Sequence, residues 1–150
     1  MKDFFIREAT SNDIPAMCTI FKNDLGYTDC TLEIVQQKFA GLVKGHEAVF
    51  VAESECQEEK GRIVGVIHVE KYDVLYYPTM ANILGLAVAS DFRRKGIGGA
   101  LLNHAEQWAQ ENGITLMRLN SGGTRKEAHE FYRAQGYDDE KMQLRFMKTL

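Results

Sequence analysis

The sequence predicts a single α/β (α+β) domain over residues 1–150, with a mixed central sheet of about six to seven strands and about four flanking helices. The chain has 150 residues, 45% of them hydrophobic, which is enough for one core. Its β-branched runs alternate with stretches of helical periodicity. One strong helical pattern lies between two consecutive apolar runs, an order that implies a right-handed parallel crossover.

The first half of the chain predicts a strand, two helices and an antiparallel pair. FFIREA, at 4–9, alternates and predicts the first strand. Ser11 or Asn12 caps the first helix and Thr31 caps the second. AVFVAES and RIVGVIHVE are β-branched runs joined by the polar stretch 53–62, so we expect them to pair as a hairpin. The apolar face predicted for the second helix comprises Ile34, Val35, Phe39 and Leu42 or Val43.

The second half predicts a buried strand, a long helix and three further elements. ANILGLAVAS is apolar on both faces and predicts a central strand, in which Gly85 marks a bulge. A helix starts near Ile97 and ends at Gly113, where a left-handed cap is expected. ITLMRLN predicts the next strand, and Gly136 stops a later helix. The alternating stretch KMQLRFMKTL is predicted to close the sheet.

Charge and composition narrow the class of partner. The net charge of −3 and the pI of about 5.8 argue against a nucleic-acid partner. No apolar run is long enough for a signal peptide or a membrane span. Cys18, Cys30 and Cys56 are odd in number and contain no CxxC pair, which favours a reducing compartment and no metal site. We therefore expect a cytoplasmic protein with no nucleic-acid, membrane or metal partner.

The stretch RRKGIGG, at 93–99, places three cations and three glycines at a predicted strand–helix junction. A helix N-terminus exposes unpaired N–H groups and carries partial positive charge. Glycines let an anion approach those groups closely, so the pattern predicts a site for a phosphate or pyrophosphate. The spacing matches neither GxxxxGK[ST] nor GxGxxG. The alternative is a tight turn with a solvated charge run.

Two motifs carry a resemblance to a known family. Arg93-x-x-Gly96-x-Gly98, preceded by LGLAVASDF, resembles the acetyl-CoA signature of the GNAT family of N-acetyltransferases. AHEFYRAQGY, at 128–137, resembles the family's later helix, where A-x-x-F-Y precedes a glycine and an aromatic residue. The resemblance covers residues 80–150 specifically and the remainder only in the order of elements.

The resemblance implies that acetyl-CoA is the cofactor and identifies residues that hold it. The family splays its sheet, here between the strands at 81–90 and 114–120, and the pantetheine arm runs along the strand that carries Leu86, Ala87 and Val88. Asn120 is expected to bond the pantetheine amides, and Arg125 either reaches a CoA phosphate or only caps its helix. Phe131 of the later helix completes the set. The pyrophosphate turn comprises Arg93, Arg94, Lys95, Gly96, Ile97, Gly98, Gly99 and Ala100.

The resemblance also implies the chemistry. Tyr132, the tyrosine of the FY pair, is expected to protonate the departing CoA thiolate. Many members have a glutamate four residues before the position of Leu86, where this chain has Asn82. The base is then a water chain or an acid from elsewhere, and we favour Glu70 or Asp24.

Acid and aromatic side chains outside the motifs suit a cationic amine acceptor. We expect substrate contacts from Asp24, Tyr27, Tyr72 and Asn82. The alternative is that these acids are solvated and the aromatic rings cover the sheet. The acceptor class stays open among polyamines, aminoglycosides, amino acids, protein N-termini and lysines.

Two functions from different classes fit these residues. The first is an acetyl-CoA-dependent N-acetyltransferase that acts on a primary amine of a small molecule or peptide. The second is a non-catalytic acyl-CoA-binding sensor or interaction module, which the missing strand glutamate favours and Tyr132 disfavours. The residues do not specify the oligomeric state, and a homodimer is the expectation that the resemblance carries.

Overall fold

The computed structural model describes residues 3–150, in which residues 3–119 form one compact unit and residues 120–150 a second. The first unit carries two helices between its first two strands, and its third helix connects the last two strands. The second unit contains one helix, α4 (Lys126–Ala134). The elements of the first unit are β1 (Phe4–Glu8), α1 (Ile14–Asn23), α2 (Leu32–Ala40), β2 (Glu47–Ser54), β3 (Ile63–Val74), β4 (Tyr77–Val88), α3 (Ile97–Glu111) and β5 (Met117–Leu119).

The sheet is mixed, as predicted, with its strands in chain order from β1 to β5. The first four strands are antiparallel, and β5 runs parallel to β4 across the α3 crossover. The parallel pairing extends only from Ala81↔Met117 to Ile83↔Leu119. The predicted splay between these two strands is thereby confirmed, since their pairing ends before Gly85.

A bulge in β4 lies next to Gly85, close to where the glycine predicted one. His68 of β3 pairs with Gly85 and Val69 pairs with Ile83, so Leu84 is the extra residue. A bulge bends its strand and increases the local twist. The bulge therefore begins where the pairing of β4 with β5 ends.

Helices cover both faces of the sheet. Val66 of β3 belongs to a buried cluster with Met17 and Ile20 of α1. The preceding residue, Gly65, points to the other face, where a Cβ atom would lie 2.9 Å from Leu101 Cδ1 of α3. The core therefore has two layers, one under α1 and α2 and the other under α3.

Three helix ends follow the predicted chemistry and one does not. The Thr31 side chain accepts a hydrogen bond from the Ile34 N–H (3.2 Å), and Gly113 and Gly136 have φ of 74° and 91°. The cap at Ser11 or Asn12 is wrong, because Ser11–Asp13 form a separate 3-10 turn. Asp13 is the residue before α1. Its carboxylate binds Arg7 and the Thr10 N–H, which anchors the chain at that residue.

The predicted apolar face of α2 is only partly buried. Val35, Phe39 and Leu42 pack against the cluster under α1. Ile34 and Val43 are exposed. Ile34 lies at the border of the helical stripe, whereas Val43 lies beyond Ala40, the last residue of α2.

The predicted number of strands is wrong, since the sheet of the described residues has five. KMQLRFMKTL contains no strand, and Met142, Leu144 and Phe146 are exposed. Alternation shows which residues share a face of an extended chain, but a strand also requires a partner. The boundary at 81 was also wrong, because β4 begins at Tyr77 and pairs with Val74 across a hairpin turn.

Two further properties bear on function. No helix in residues 3–150 has the length and apolar character needed to span a membrane. Over the same residues, no group of three or more His, Cys, Asp or Glu side chains is placed to hold a metal ion.

Candidate functional site

The turn between β4 and α3 has an unusual backbone. The chain leaves β4 through a 3-10 turn (Ser90–Phe92), is extended at Arg93 and enters α3 from Gly96. Arg94 and Gly96 both have left-handed φ, 63° and 83°. A non-glycine residue reaches that region at a cost, so Arg94 holds a strained conformation. A Cβ on Gly96 would meet no atom within 4 Å, so its backbone conformation, rather than lack of space, favours glycine there.

The first turn of α3 supplies N–H donors. The Ala100 N–H donates to the Gly96 carbonyl (3.1 Å), which is the first hydrogen bond of the helix. The N–H groups of Ile97, Gly98 and Gly99 precede that bond and are the donors that a helix leaves unpaired at its start. Such donors suit phosphate oxygens, so the turn fits the pyrophosphate of acetyl-CoA.

Cations surround this turn, including one that the motifs did not reveal. Lys95 Nζ lies 4.8 Å from the centre of the Phe92 ring, and Arg62 Cζ lies 5.2 Å from it. Arg62 also donates two hydrogen bonds to Asp91, at 2.8 and 3.0 Å, and thereby lowers the pKa of that carboxyl. Arg62 immediately precedes β3, 29 positions before Asp91, so spacing could not place it here.

The β4 residues expected to contact pantetheine lie beyond the paired part of β4 and β5. Leu86, Ala87 and Val88 pair with β3 on one side. The ladder with β5 does not reach them. Ala87 is buried in the cluster under α1, so its side chain serves the core and only its backbone is available to a ligand.

A hydrogen-bonded row crosses three strands beside the splay. Asn82 of β4 donates from Nδ2 to Glu70 Oε2 of β3 (3.0 Å) and accepts at Oδ1 from Arg118 of β5 (2.8 Å). Arg118 Cζ lies 4.4 Å from the centre of the Tyr72 ring. Asn82 is buried, with 8% of its surface exposed. The structure thus brings together three predicted site residues and adds Arg118, which sequence reasoning missed although a cation within ITLMRLN is an unusual strand residue.

The carboxylate of Glu47, on β2, lies beside this row. Glu47 pairs with Glu70 in the strand register, and its Oε1 lies 3.0 Å from His68 Nε2. Glu47 lies two residues before Val49, which belongs to the cluster under α1. Residues two apart in a strand share a face, so the row lies on the α1 face of the sheet.

Asp24 and Tyr27 do not join this row. Asp24 Oδ1 accepts a hydrogen bond from the Ser90 N–H (3.0 Å), just beyond the end of β4. Ser90 follows Asn82 by eight residues, about 26 Å along an extended strand. Tyr27 is 60% exposed, and its N–H donates to the Phe21 carbonyl. The predicted substrate set therefore divides, because the short carboxylate of Asp24 is engaged beyond the last residue of β4.

Within residues 120–150, Tyr132 is part of an aromatic group. Its ring lies 5.1 Å from Phe131 and 6.0 Å from Tyr137, both edge to face. Burial raises the pKa of Tyr132, against a smaller lowering by the charge of Arg125. The hydroxyl is therefore protonated at neutral pH, as a proton donor must be.

The other residues predicted in this unit take local roles. Arg125 is the N-cap residue of α4, although its side chain makes no capping bond. His129 Nε2 lies 2.8 Å from the Gly122 carbonyl oxygen, so this histidine has a structural role in linking α4 to the preceding loop. Asn120 is exposed.

Comparisons with known proteins extend these observations. The model of the acetyltransferase (GNAT) family matches residues 14–137. The aminoalkylphosphonate N-acetyltransferase of Salmonella typhimurium is 27% identical, over 97% of this chain and 90% of its own length.

Two solved structures have the same fold. A transcriptional regulator from Bacillus halodurans C-125 is 28% identical, with a TM-score of 0.83 over 97% of this chain and 99% of its own. An aminoglycoside N-acetyltransferase in complex with CoA is 14% identical, with a TM-score of 0.83 over 98% and 95%, and this likeness concerns the fold alone.

The enzyme, rather than the non-catalytic binding module, is the function that these relatives support. Acetyl-CoA is the acetyl donor of the family, and the donors of the α3 turn fit its pyrophosphate. Since the family model spans most of the chain, this protein belongs to the GNAT family and is an acetyltransferase that uses acetyl-CoA.

Proposed function

We propose that this acetyltransferase transfers the acetyl group from acetyl-CoA to a primary amine of a small molecule or peptide, by direct attack of the amine. The observation that carries the proposal is the row of Glu70, Asn82 and Arg118 beside the splay of β4 and β5. The Glu70 carboxylate in that row and the Tyr72 ring beside it suit a cationic amine. The name of a similar protein, the aminoalkylphosphonate N-acetyltransferase, favours a small molecule over a peptide.

We assign the binding of acetyl-CoA to the α3 turn and to the part of β4 beyond its pairing with β5. The amides of residues 94–99 bind the pyrophosphate, with Ala100 opening the helix and Arg93 at the rim. Main-chain groups of Leu86 and Val88 bind the pantetheine arm. Asn120, Arg125 and Phe131 complete the binding set on the basis of the family resemblance. Bound there, acetyl-CoA supplies an activated thioester carbonyl.

Glu70 is our choice for the general base. An alkylamine has a pKa of about 10.4 and is charged at neutral pH, so a proton must leave before nitrogen can attack. Asn82 donates a hydrogen bond to one oxygen of the Glu70 carboxylate and so orients the group. The other oxygen accepts the proton, directly or through a water molecule. Asp24 is less suited, because its carboxylate caps Ser90.

Tyr132 is our choice for the general acid. As the bond from carbon to sulfur breaks, its hydroxyl donates a proton to the sulfur. A thiol has a pKa of about 8.5, so the CoA thiolate can leave without a proton donor. A proton from Tyr132, whose pKa lies above its ordinary value, assists this departure without being indispensable. Tyr132→Phe should lower kcat roughly ten- to a hundredfold with little change in KM for acetyl-CoA. A kcat within twofold of the parent across pH 6–9 would exclude this role.

The proposal extends to organisation and location. We propose that residues 1–150 form one transferase domain, because the family model crosses from the first compact unit into the second. The three free thiols favour a reducing, cytoplasmic location. A homodimer remains a prediction from the resemblance.

The experiment is a turnover screen read by release of the CoA thiol. The panel contains aminoalkylphosphonates, aminoglycosides, polyamines and peptides. We expect turnover with at least one small amine, and turnover with peptides alone would contradict the small-molecule preference. No release with any amine would contradict the proposal.

Glu70→Gln tests the base on the best amine of the panel. At neutral pH, kcat/KM should fall about 10²- to 10⁴-fold. The deficit should shrink as pH approaches the pKa of the amine, because the neutral amine then needs no base. Glu47→Gln is the matched control. Glu47 lies beside Glu70 in the strand register but is bonded to His68, so this variant should keep its activity. An unchanged pH profile in Glu70→Gln would exclude Glu70.

A further inference from the structure

Cys18 and Cys30 form a thiol pair that acetyl transfer does not use. Cys18 lies on α1 and is 4% exposed, whereas Cys30 is half-buried just before Thr31, the N-cap of α2. Their Sγ atoms are 3.7 Å apart, and Cys18 Sγ lies 4.0 Å from the Cys30 carbonyl oxygen. The two residues are 12 positions apart, so the contact is made by the fold.

We propose that Cys18 and Cys30 are an oxidation site that closes reversibly to an intramolecular disulfide. A disulfide places its sulfurs about 2.05 Å apart, so the two atoms must approach by about 1.7 Å. Cys30 lies outside the helices, between the turn at residues 27–30 and α2. It can move that distance without breaking a helical hydrogen bond, while α1 holds Cys18 in place.

The oxidant is a low-molecular-weight disulfide of the glutathione type. The thiolate of Cys30, the more exposed partner, attacks one sulfur of the oxidant and releases one small thiolate. Cys18 loses its proton and attacks Cys30 Sγ, which releases the second. Two protein thiols are oxidised, one small disulfide is reduced to two thiols, and two protons are accounted for.

The environment of Cys30 keeps the pair inert without an oxidant. Burial raises the pKa of its thiol, Cys18 raises it further, and the ammonium of Lys22 lowers it by less. The thiol is thus mainly protonated at neutral pH, so its reaction with an oxidant is slow. In a reducing environment the pair stays a dithiol.

The cross-link would restrain the segment that runs across the end of β4. Between the two cysteines lie Asp24, which binds the Ser90 N–H, and Leu25, whose Cδ2 is 3.6 Å from where a Cβ on Gly85 would lie. Closing this short loop removes conformations from the unfolded chain. Oxidation should therefore raise Tm, by about 6–12 °C for a loop and a chain of these lengths.

Peptide mapping of the full chain tests the proposal. The protein is incubated with oxidised glutathione, its remaining thiols are alkylated, and it is digested with trypsin without reduction. Cleavage after Lys22 separates Cys18, in peptide 8–22, from Cys30, in peptide 23–38. We expect these peptides joined, two hydrogen atoms lighter than their sum, with Cys56 alkylated. Reduction should release them and reverse the shift in Tm.

Two variants complete the test. Cys56→Ser should form the same cross-link at the same rate. Cys30→Ser should leave Cys18 alkylatable after unfolding and show no rise in Tm on oxidation. A link that involves Cys56, links between molecules, or a glutathione adduct that persists on Cys30 beside a free Cys18 would each overturn the proposal.

Discussion

Asp13 is the buried carboxylate that anchors the start of α1. It is 5% exposed and accepts three hydrogen bonds of 2.8 Å, two from the Arg7 guanidinium and one from the Thr10 N–H. The bonds from Arg7, above all, lower the pKa of Asp13, and the backbone bond adds to this against the opposing effect of burial. The ionised form is therefore preferred in the folded state.

Asp13→Asn should destabilise the fold by about 2 kcal/mol at neutral pH, since hydrogen bonds to a charged group are lost in a buried place. Because the folded pKa is depressed, this contribution is present above the unfolded pKa of about 3.9 and is lost as pH falls through the folded value. Urea unfolding at a series of pH values measures the effect. The difference between parent and variant should shrink below about pH 4.

Asp91→Asn is the matched control for this prediction. Asp91 also accepts two bonds from one guanidinium, that of Arg62, but it is exposed. Ion pairs in water contribute little, so the control should unfold close to the parent. Equal losses in the two variants would contradict the role that burial plays here.

At the level of elements, β3 and α3 approach each other closely at Gly65. A Cβ on Gly65 would lie 2.9 Å from Leu101 Cδ1 and 3.0 Å from Ile97 Cγ2. Both leucine and isoleucine are buried within the core. The absence of a side chain on Gly65 therefore lets α3 lie close to the sheet.

Gly65→Ala should destabilise the protein by about 1–3 kcal/mol, because Leu101 and Ile97 must shift in a packed core. Thermal or urea unfolding measures it. Gly123→Ala is the control, since a Cβ there meets no atom within 4 Å and its φ is not left-handed. The control should be neutral or slightly stabilising. If Gly65→Ala were as stable as the parent, α3 would be able to move away from β3 without a cost in stability, and the prediction would be wrong.

The same elements show how far local sequence reaches. The caps at Thr31 and Gly113 and the start of α3 after Gly96 follow from residue types, because each depends on side chains or φ angles within one turn. Gly65 carried no such signal, although RIVGVIHVE was recognised as a strand. Its close approach depends on which helix crosses it, and that is settled by topology.

At the scale of the whole molecule, binding of acetyl-CoA is coupled to folding. A ligand that binds only the folded state stabilises it by about 2.7 kcal/mol at a hundredfold excess over Kd. For a chain of this length that corresponds to a rise in Tm of about 5–10 °C. The shift therefore reports on the α3 turn through the stability of the entire fold.

Gly98→Val should weaken acetyl-CoA binding at least tenfold, about 1.4 kcal/mol, because a branched side chain intrudes among the N–H donors of the turn. Valine is a better helix former than glycine, so the fold should persist. Calorimetry measures affinity, and the Tm shift with ligand should fall in parallel. Gln107→Val, on the exposed side of α3, is the control. Unchanged affinity in folded Gly98→Val would place the pyrophosphate elsewhere.

The sequence by itself determined the class of fold, the position of the turn between β4 and α3 and most helix ends. These follow from periodicity, glycine conformation and capping, which act over a few residues. Gly85 also indicated where β4 and β5 separate, because a glycine inside a buried strand weakens the strand and often marks a bulge.

Only the tertiary structure decided which distant side chains meet. It joined Glu70 and Asn82 to Arg118, engaged Asp24 with Ser90, brought Cys18 to Cys30 and left 141–150 without a strand. Each outcome depends on strand register and on the packing of helices, which combine residues far apart in the chain. A one-residue change of register reverses the face of every side chain in a strand, so local pattern alone cannot specify such contacts.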